Sequence, residues 1–539
     1  MSLNRREFVG SLLAMGTLPA CQILAAGANH DFAVPKVPDI GRAKRRIIWN
    51  NDGDDLRNVA FGIRYLWNAR DNDQAPLLER FKSVPEFLDL RMSALRDSPV
   101  DTISYCGVFT WPVWDFPRER ISALGEDPLK HVVDFAHASG KEFFFNLRMN
   151  DCHSSGRYWR GPAWWEPFRL NHRHLLQSTI PDEAWEKDYL PWIRGESSVY
   201  PLQSVWDRRG GANRDVQSWS AYDYAHAEVR EYFVGLVREA CERYDLDGID
   251  LDWLRLPFFF RFGEERRNIP LMNDFVRRVA ETVRAAARRR GRPIVLAMRV
   301  PDSPGRALEI GLDVETWIAE GWLDLLVAGN GIASFSMPLA PWISLCAPRN
   351  IPVYGCVSRS APGLSDPAAF RGASQWQWAN GASGLYFFNH FIPSEYGTIA
   401  DVADPARLKT LTKTYAIDTN SGGWQNGTVC CGPLPLNFPS GATETSIDLT
   451  LEIPEKLRGA KSVRLAVQWR GAKAEVRTRW LLNGREIRLL ERREQGALEY
   501  DPDGLKAGLN RLRVTVTSGS PADTAGLVLE TVRVTVARI

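Results

Sequence analysis

The sequence predicts an α/β chain of two folded units, a (β/α)8 barrel followed by a C-terminal β-sandwich. Three observations carry this. From about Arg46 to Phe391 short apolar runs alternate with longer amphipathic segments, as a repeated strand-and-helix unit requires. After about Asn420 the texture changes to alternating strands and turns. With 539 residues, 44% hydrophobic and 24% charged, the chain can build two cores and is not of disordered composition.

Eight strands are expected at Arg46–Asn51, Asp101–Val108, Glu142–Asn150, Gly248–Trp253, Pro293–Arg299, Leu323–Ala328, Pro352–Val357 and Ser383–Asn389. Val229–Tyr244 and Met272–Arg290 are the clearest helices, with apolar residues recurring every three or four positions. No GxGxxG or Walker-type loop supports an open doubly wound sheet instead. The barrel unit is expected over residues 31–419, with a Trp-rich insertion at 153–221 that leaves the C-terminal end of the third strand. Loops of that length are usually functional, and barrel sites lie at that end. In the second unit, 420–539, strands are expected at Thr445–Ile453, Ser462–Trp469, Val476–Leu482, Asn510–Ser518 and Leu527–Val536. The run Leu482-Asn483-Gly484-Arg485 has the chemistry of a hairpin turn.

The first 30 residues read as an address. Twin arginines, Arg5-Arg6, precede a short apolar run, Val9 to Leu18, and small residues follow it, as in a twin-arginine export signal. Leu18-Pro19-Ala20-Cys21 resembles a lipoprotein cleavage box, so the expected location is the periplasm, free or membrane-tethered through Cys21, or the exterior. The other cysteines show no CxxC pair or metal-finger spacing and are expected to be small buried residues. A net charge of +2 gives no reason to propose nucleic acid as a partner. Twenty tryptophans suggest flat platforms on which sugar rings stack, Trp111 and Trp253 among them.

The chemistry centres on Asp250-Leu251-Asp252. Strand side chains alternate faces, so if Ile249 and Leu251 meet the helices, both aspartates point to the barrel axis. The same parity turns Asn146, Arg148 and Asn150 inward on the preceding strand, and Ala297 and Arg299 on the following one. Two buried carboxylates repel each other and need compensating charge, which Arg148 and Arg299 would supply. Polar residues close the other strands: Asn50-Asn51-Asp52, Asp151 to His153, Asp302, Asn330, Ser358-Arg359 and Asn389-His390. Asp313 is expected to be a helix N-cap.

The stretch Asp247 to Arg255, with Arg148 to His153 and Tyr224 to Arg230, resembles the glycoside hydrolase-like family 10 group of barrel proteins, over roughly residues 45–395. It is also similar to the DxxDxDxE motif of family 18 chitinases through Asp247, Asp250 and Asp252. The glutamate that ends that motif, the general acid of the family, is Leu254 here, which argues against a chitinase mechanism. The resemblance implies cleavage of a poly- or oligosaccharide by paired carboxyls. Asp252 is the first candidate, Asp250 its tuning neighbour, and Asp302 or Asp151 the second carboxyl, with Asp52 behind them. Arg148, Asn150, His153, Trp253, Arg255, Arg299, Asn330, Arg359, Asn389 and His390 are candidates for holding substrate. No cofactor or metal is expected, there being no HExxH motif or Asp-rich calcium loop. Two other readings stand beside hydrolysis. One is a non-catalytic glycan-binding surface protein. The other is a polysaccharide lyase, for which Arg148 and Arg299 would bind uronic acids.

Overall fold

The computed structural model describes residues 47–53, 83–107, 127–152, 167–177, 180–198, 220–254, 256–329, 335–358, 366–390, 397–418, 432–438, 444–472, 476–492, 496–518, 520 and 524–538. Eight parallel strands close a barrel in chain order: β1 Ile47–Asn51, β2 Thr102–Cys106, β3 Glu142–Arg148, β4 Gly248–Asp252, β5 Val295–Val300, β6 Leu325–Ala328, β7 Val353–Val357 and β8 Gly384–Phe387. Each falls within one or two residues of its expected place at most ends. β1 pairs with both β2 and β8, which closes the ring.

Helices cover the outer wall. Among them are α1 Val84–Met92, α2 Pro128–Ala138, α3 Ala227–Arg243, α4 Ile269–Arg290, α5 Val314–Ala319, α6 Ala340–Cys346 and α7 Pro367–Ala379. α4 buries Met272, Phe275, Val276, Val279, Val283 and Ala286, a stripe at helical spacing laid on the barrel. Gly291, in the left-handed region at φ 66°, ends it. Asp127 and Asp313 cap α2 and α5 by accepting the N–H groups of Leu129 and Thr316.

The C-terminal unit is two antiparallel sheets. One runs β10-β18-β12-β16-β15 and the other β11-β17-β13-β14. Their strands are β10 Leu436–Asn437, β11 Glu444–Ile453, β12 Ser462–Arg470, β13 Arg477–Leu482, β14 Arg485–Glu486, β15 Arg488–Arg492, β16 Ala497–Asp501, β17 Gly508–Thr517 and β18 Val528–Ala537. Trp480 of one sheet packs between Trp469 and Tyr500 of the other. Asn483 and Gly484 both have positive φ in the β13–β14 hairpin, the turn that the Asn-Gly pair announces.

A further strand, β9 Lys413–Ala416, pairs with β18 and lies against α7. The approach is so close that a Cβ at Gly372 would stand 2.0 Å from the Thr414 carbonyl oxygen. Alanine normally stabilises a helix interior relative to glycine by about 1 kcal/mol. Here Gly372→Ala is expected to do the opposite, because overpacking against backbone costs about 1–3 kcal/mol; the denaturant midpoint measures the sign.

Buried tryptophans account for much of the aromatic excess. Trp49, Trp253, Trp317, Trp342, Trp469 and Trp480 are all at most 2% exposed. In the insertion, Trp185 and Trp192 form a small core with Ile180, Tyr189 and Ile193. They are packing residues rather than platforms. Trp159, Trp164, Trp165, Trp206 and Trp219 of the insertion, and Trp111, lie outside the described residues, as do the leader and Cys21. Cys106, Cys152, Cys241, Cys346 and Cys356 are buried, as expected.

Candidate functional site

Inside the barrel the polar side chains form two tiers. Strand register places Asn146 beside Asp250 and Arg148 beside Asp252 on one flank, with Ala297 and Arg299 on the other. The lower tier centres on Asp250, which is fully buried. Its Oδ2 accepts hydrogen bonds from Ser104 Oγ at 2.6 Å, Tyr386 OH at 2.7 Å and Asn146 Nδ2 at 2.8 Å. Its Oδ1 has no hydrogen-bond partner among the described residues. Burial, joined by the charge of Asp252, pushes the Asp250 carboxyl above the usual carboxylate range, against the pull of its three donors.

Ser104 and Tyr386 were not singled out in the sequence. The signal was present: apolar Ile103 flanks Ser104, and Leu385 and Phe387 bracket Tyr386, so alternation turns both inward.

The upper tier is an ion pair. Arg299 donates from Nε to Asp252 Oδ1 and from a terminal nitrogen to Oδ2, both at 2.9 Å. The Leu254 N–H adds a bond to Oδ1 at 3.0 Å. The guanidinium is wholly buried and lies 3.9 Å from the centroid of Phe388, a cation–π contact that helps hold it flat. Gly329 makes room beside it: a Cβ there would come within 3.5 Å of Arg299 Cγ, Cys356 Cβ and Leu254 Cδ1.

At the C-terminal rim, Arg148 does not join Asp250 or Asp252. It turns to the turn residues, donating to Asp151 Oδ2 at 2.8 Å and standing 3.6 Å from Asp52 Oδ2. It therefore ties the end of β3 to the end of β1. Asp302, two residues past β5, is 4% exposed. Burial pushes its carboxyl up to about 6, and Arg306, with Nε 3.5 Å from Oδ1, only partly offsets this. Asn389 sits at the end of β8 at φ 50°, half-buried; its N–H donates to Asn50 Oδ1, and its own Oδ1 has no partner among the described residues.

Three expected substrate-binding residues are placed elsewhere. Trp253 points away from the axis, as alternation after Asp252 demands, and packs on Phe259, Phe275 and Trp317 behind the wall. His390 stacks on Phe370 of α7 and on Phe387, which puts its ring on the helix side. Asn150 is committed to the backbone: its Nδ2 donates to the Tyr222 and Phe258 carbonyls, and its Oδ1 accepts the Tyr222 N–H. It fastens together the loops after β3 and β4. His153, Arg255, Asn330 and Arg359 lie outside the described residues. Among the described residues no group of three or more His, Cys, Asp or Glu is arranged to hold a metal ion.

No protein-family model and no curated protein matches the chain, so the family resemblance stays at the level of the motifs. Solved structures that resemble it are glycoside hydrolases. An α-L-fucosidase from Paenibacillus thiaminolyticus has a TM-score of 0.38 and 13% identity, over 68% of this chain and 50% of the fucosidase. A maltogenic α-amylase from Thermotoga neapolitana gives 0.36 and 12%, over 88% and 99%. The PgaB glycoside hydrolase domain from Bordetella bronchiseptica gives 0.37 and 11%, over 67% and 98%. Likeness of this degree carries no residue role or substrate across.

Proposed function

We propose that the chain is a glycoside hydrolase in which Asp302 protonates the leaving oxygen and Asp252 is the ionised partner. The observation that carries this is the contrast between two carboxyls on adjacent strands. Asp252 is clamped by a bidentate guanidinium. Asp302 is buried beside Arg306 and hydrogen-bonded by Ser303, and burial still lifts its pKa to about 6, which keeps a proton available near neutrality. A buried carboxyl whose pKa stands near the working pH is suited to act as the general acid.

In the first step the Asp302 proton passes to the glycosidic oxygen as the bond to the anomeric carbon breaks. Asp252 then serves as the nucleophile at that carbon or as the base for water; both roles need the negative charge that Arg299 holds in place. Asp250 is immobilised by the three donors on its Oδ2 and holds the strand that carries Asp252. Asn389, whose Oδ1 has no partner among the described residues, would accept a substrate hydroxyl. A twin-arginine leader would deliver the enzyme to glycans outside the cytoplasm.

Product analysis in oxygen-18-labelled water tests the reaction class. Hydrolysis puts one label on each new reducing end and leaves both fragments saturated. Unsaturated, unlabelled ends would replace the hydrolase reading with a lyase.

A further inference from the structure

The charges around Asp252 restrict what kind of sugar can bind there. Each described cation on the flanking strands and in the turn after β5 already faces a carboxylate of the protein. Arg299 is wholly buried against Asp252. Arg148, 3% exposed at its side chain, lies between Asp52 and Asp151. Arg306 lies beside Asp302. Arg169, which follows β3 in the chain, donates to the Asp151 carbonyl and lies over the Tyr222 ring. Three carboxyls, Asp52, Asp151 and Asp252, thus hold the two guanidiniums of the flanking strands, Arg148 and Arg299.

A uronate entering this cluster would have to take a guanidinium from its internal partner, which would strand a buried carboxylate, or else lie unpaired beside like charge. Neutral hydroxyls and ammonium groups meet neither obstacle. We infer that the site selects glycans without a carboxylate on the sugar next to Asp252, whether neutral or amino-substituted, and rejects uronic acids. This rests on the hydrolase reading for its location but on the ion pairs for its content.

The test compares one neutral glycan with the same glycan oxidised to the uronate at C6, in turnover by the wild type and in binding of their oligosaccharides to Asp302→Asn. Oxidation is expected to lower both kcat/KM and affinity at least about tenfold, since like-charge juxtaposition is strongly unfavourable. Asp52→Asn, which loosens the hold on Arg148, should narrow that gap. Equal or better binding of the uronate overturns the inference, and so does a gap that Asp52→Asn leaves unchanged. If the neutral form is bound selectively but never cleaved, the hydrolase reading fails while the charge selection stands. If the uronate is hydrolysed as readily as the neutral form, the reverse holds.

Discussion

Asp302→Asn is expected to lower kcat on glycosides with poor leaving groups by about 10²–10⁴-fold, the usual contribution of a positioned general acid. Substrates whose leaving group needs no proton should be affected far less. The pH profile gives a second readout. A general acid works while protonated, so wild-type activity should fall as pH rises through about 6, and that limb should be absent from the variant. Stability should fall over the same pH range as activity. A folded pKa above the unfolded value of about 4 means that the neutral carboxyl's contribution is full below about 4. It is lost as pH rises through about 6. Above pH 6 the wild type therefore holds a buried charge that the amide lacks, and Asp302→Asn should be no less stable there. An inactive variant that is also markedly destabilised at pH 7 would make Asp302 a structural residue.

The second large effect concerns the buried pair. Arg299→Met is expected to cost about 3–5 kcal/mol, because it leaves Asp252 buried and uncompensated. Asp252→Asn should abolish turnover and also lower stability, since it weakens the partner of a guanidinium with no exposed surface. The double variant Arg299→Met/Asp252→Leu separates structure from function. Well-packed apolar residues commonly replace a buried ion pair at no loss, so the double variant should recover most of the stability and none of the activity. Urea denaturation of the wild type, Arg299→Met, Asp252→Leu and the double variant measures the coupling. If the double variant is as unstable as the single ones, the pair is needed to hold the barrel.

The strands, the inward turn of Asp250 and Asp252, and the positions of Asn146 and Arg299 were legible because a barrel strand carries a two-residue period that sequence alone expresses. Asp313 was legible because a cap is a local event. What the period does not encode is where a long side chain goes once it faces inward. Arg148 and Arg299 have the same parity, yet one binds Asp252 and the other reaches past it to Asp52 and Asp151. Asn150 and His390 follow the strands and obey the loops instead: one is captured by the backbone of Tyr222 and Phe258, the other by Phe370 of α7. Trp253 was legible and misassigned, since the alternation that turns Asp252 inward turns its neighbour out. The raised pKa of Asp302 depends on burial by segments distant in sequence, which no local pattern reveals. The two-residue strands β10 and β14 were missed because two residues are too few to show a period.

The most direct test of the central claim is a reducing-end assay of the wild type against a broad glycan panel, run beside Asp252→Asn and Asp302→Asn. The account predicts new reducing ends from at least one glycan with the wild type, and at least about a hundredfold fewer with either folded variant. Undiminished product from both variants, or glycan binding without product from the wild type, would contradict it and leave a glycan-binding protein.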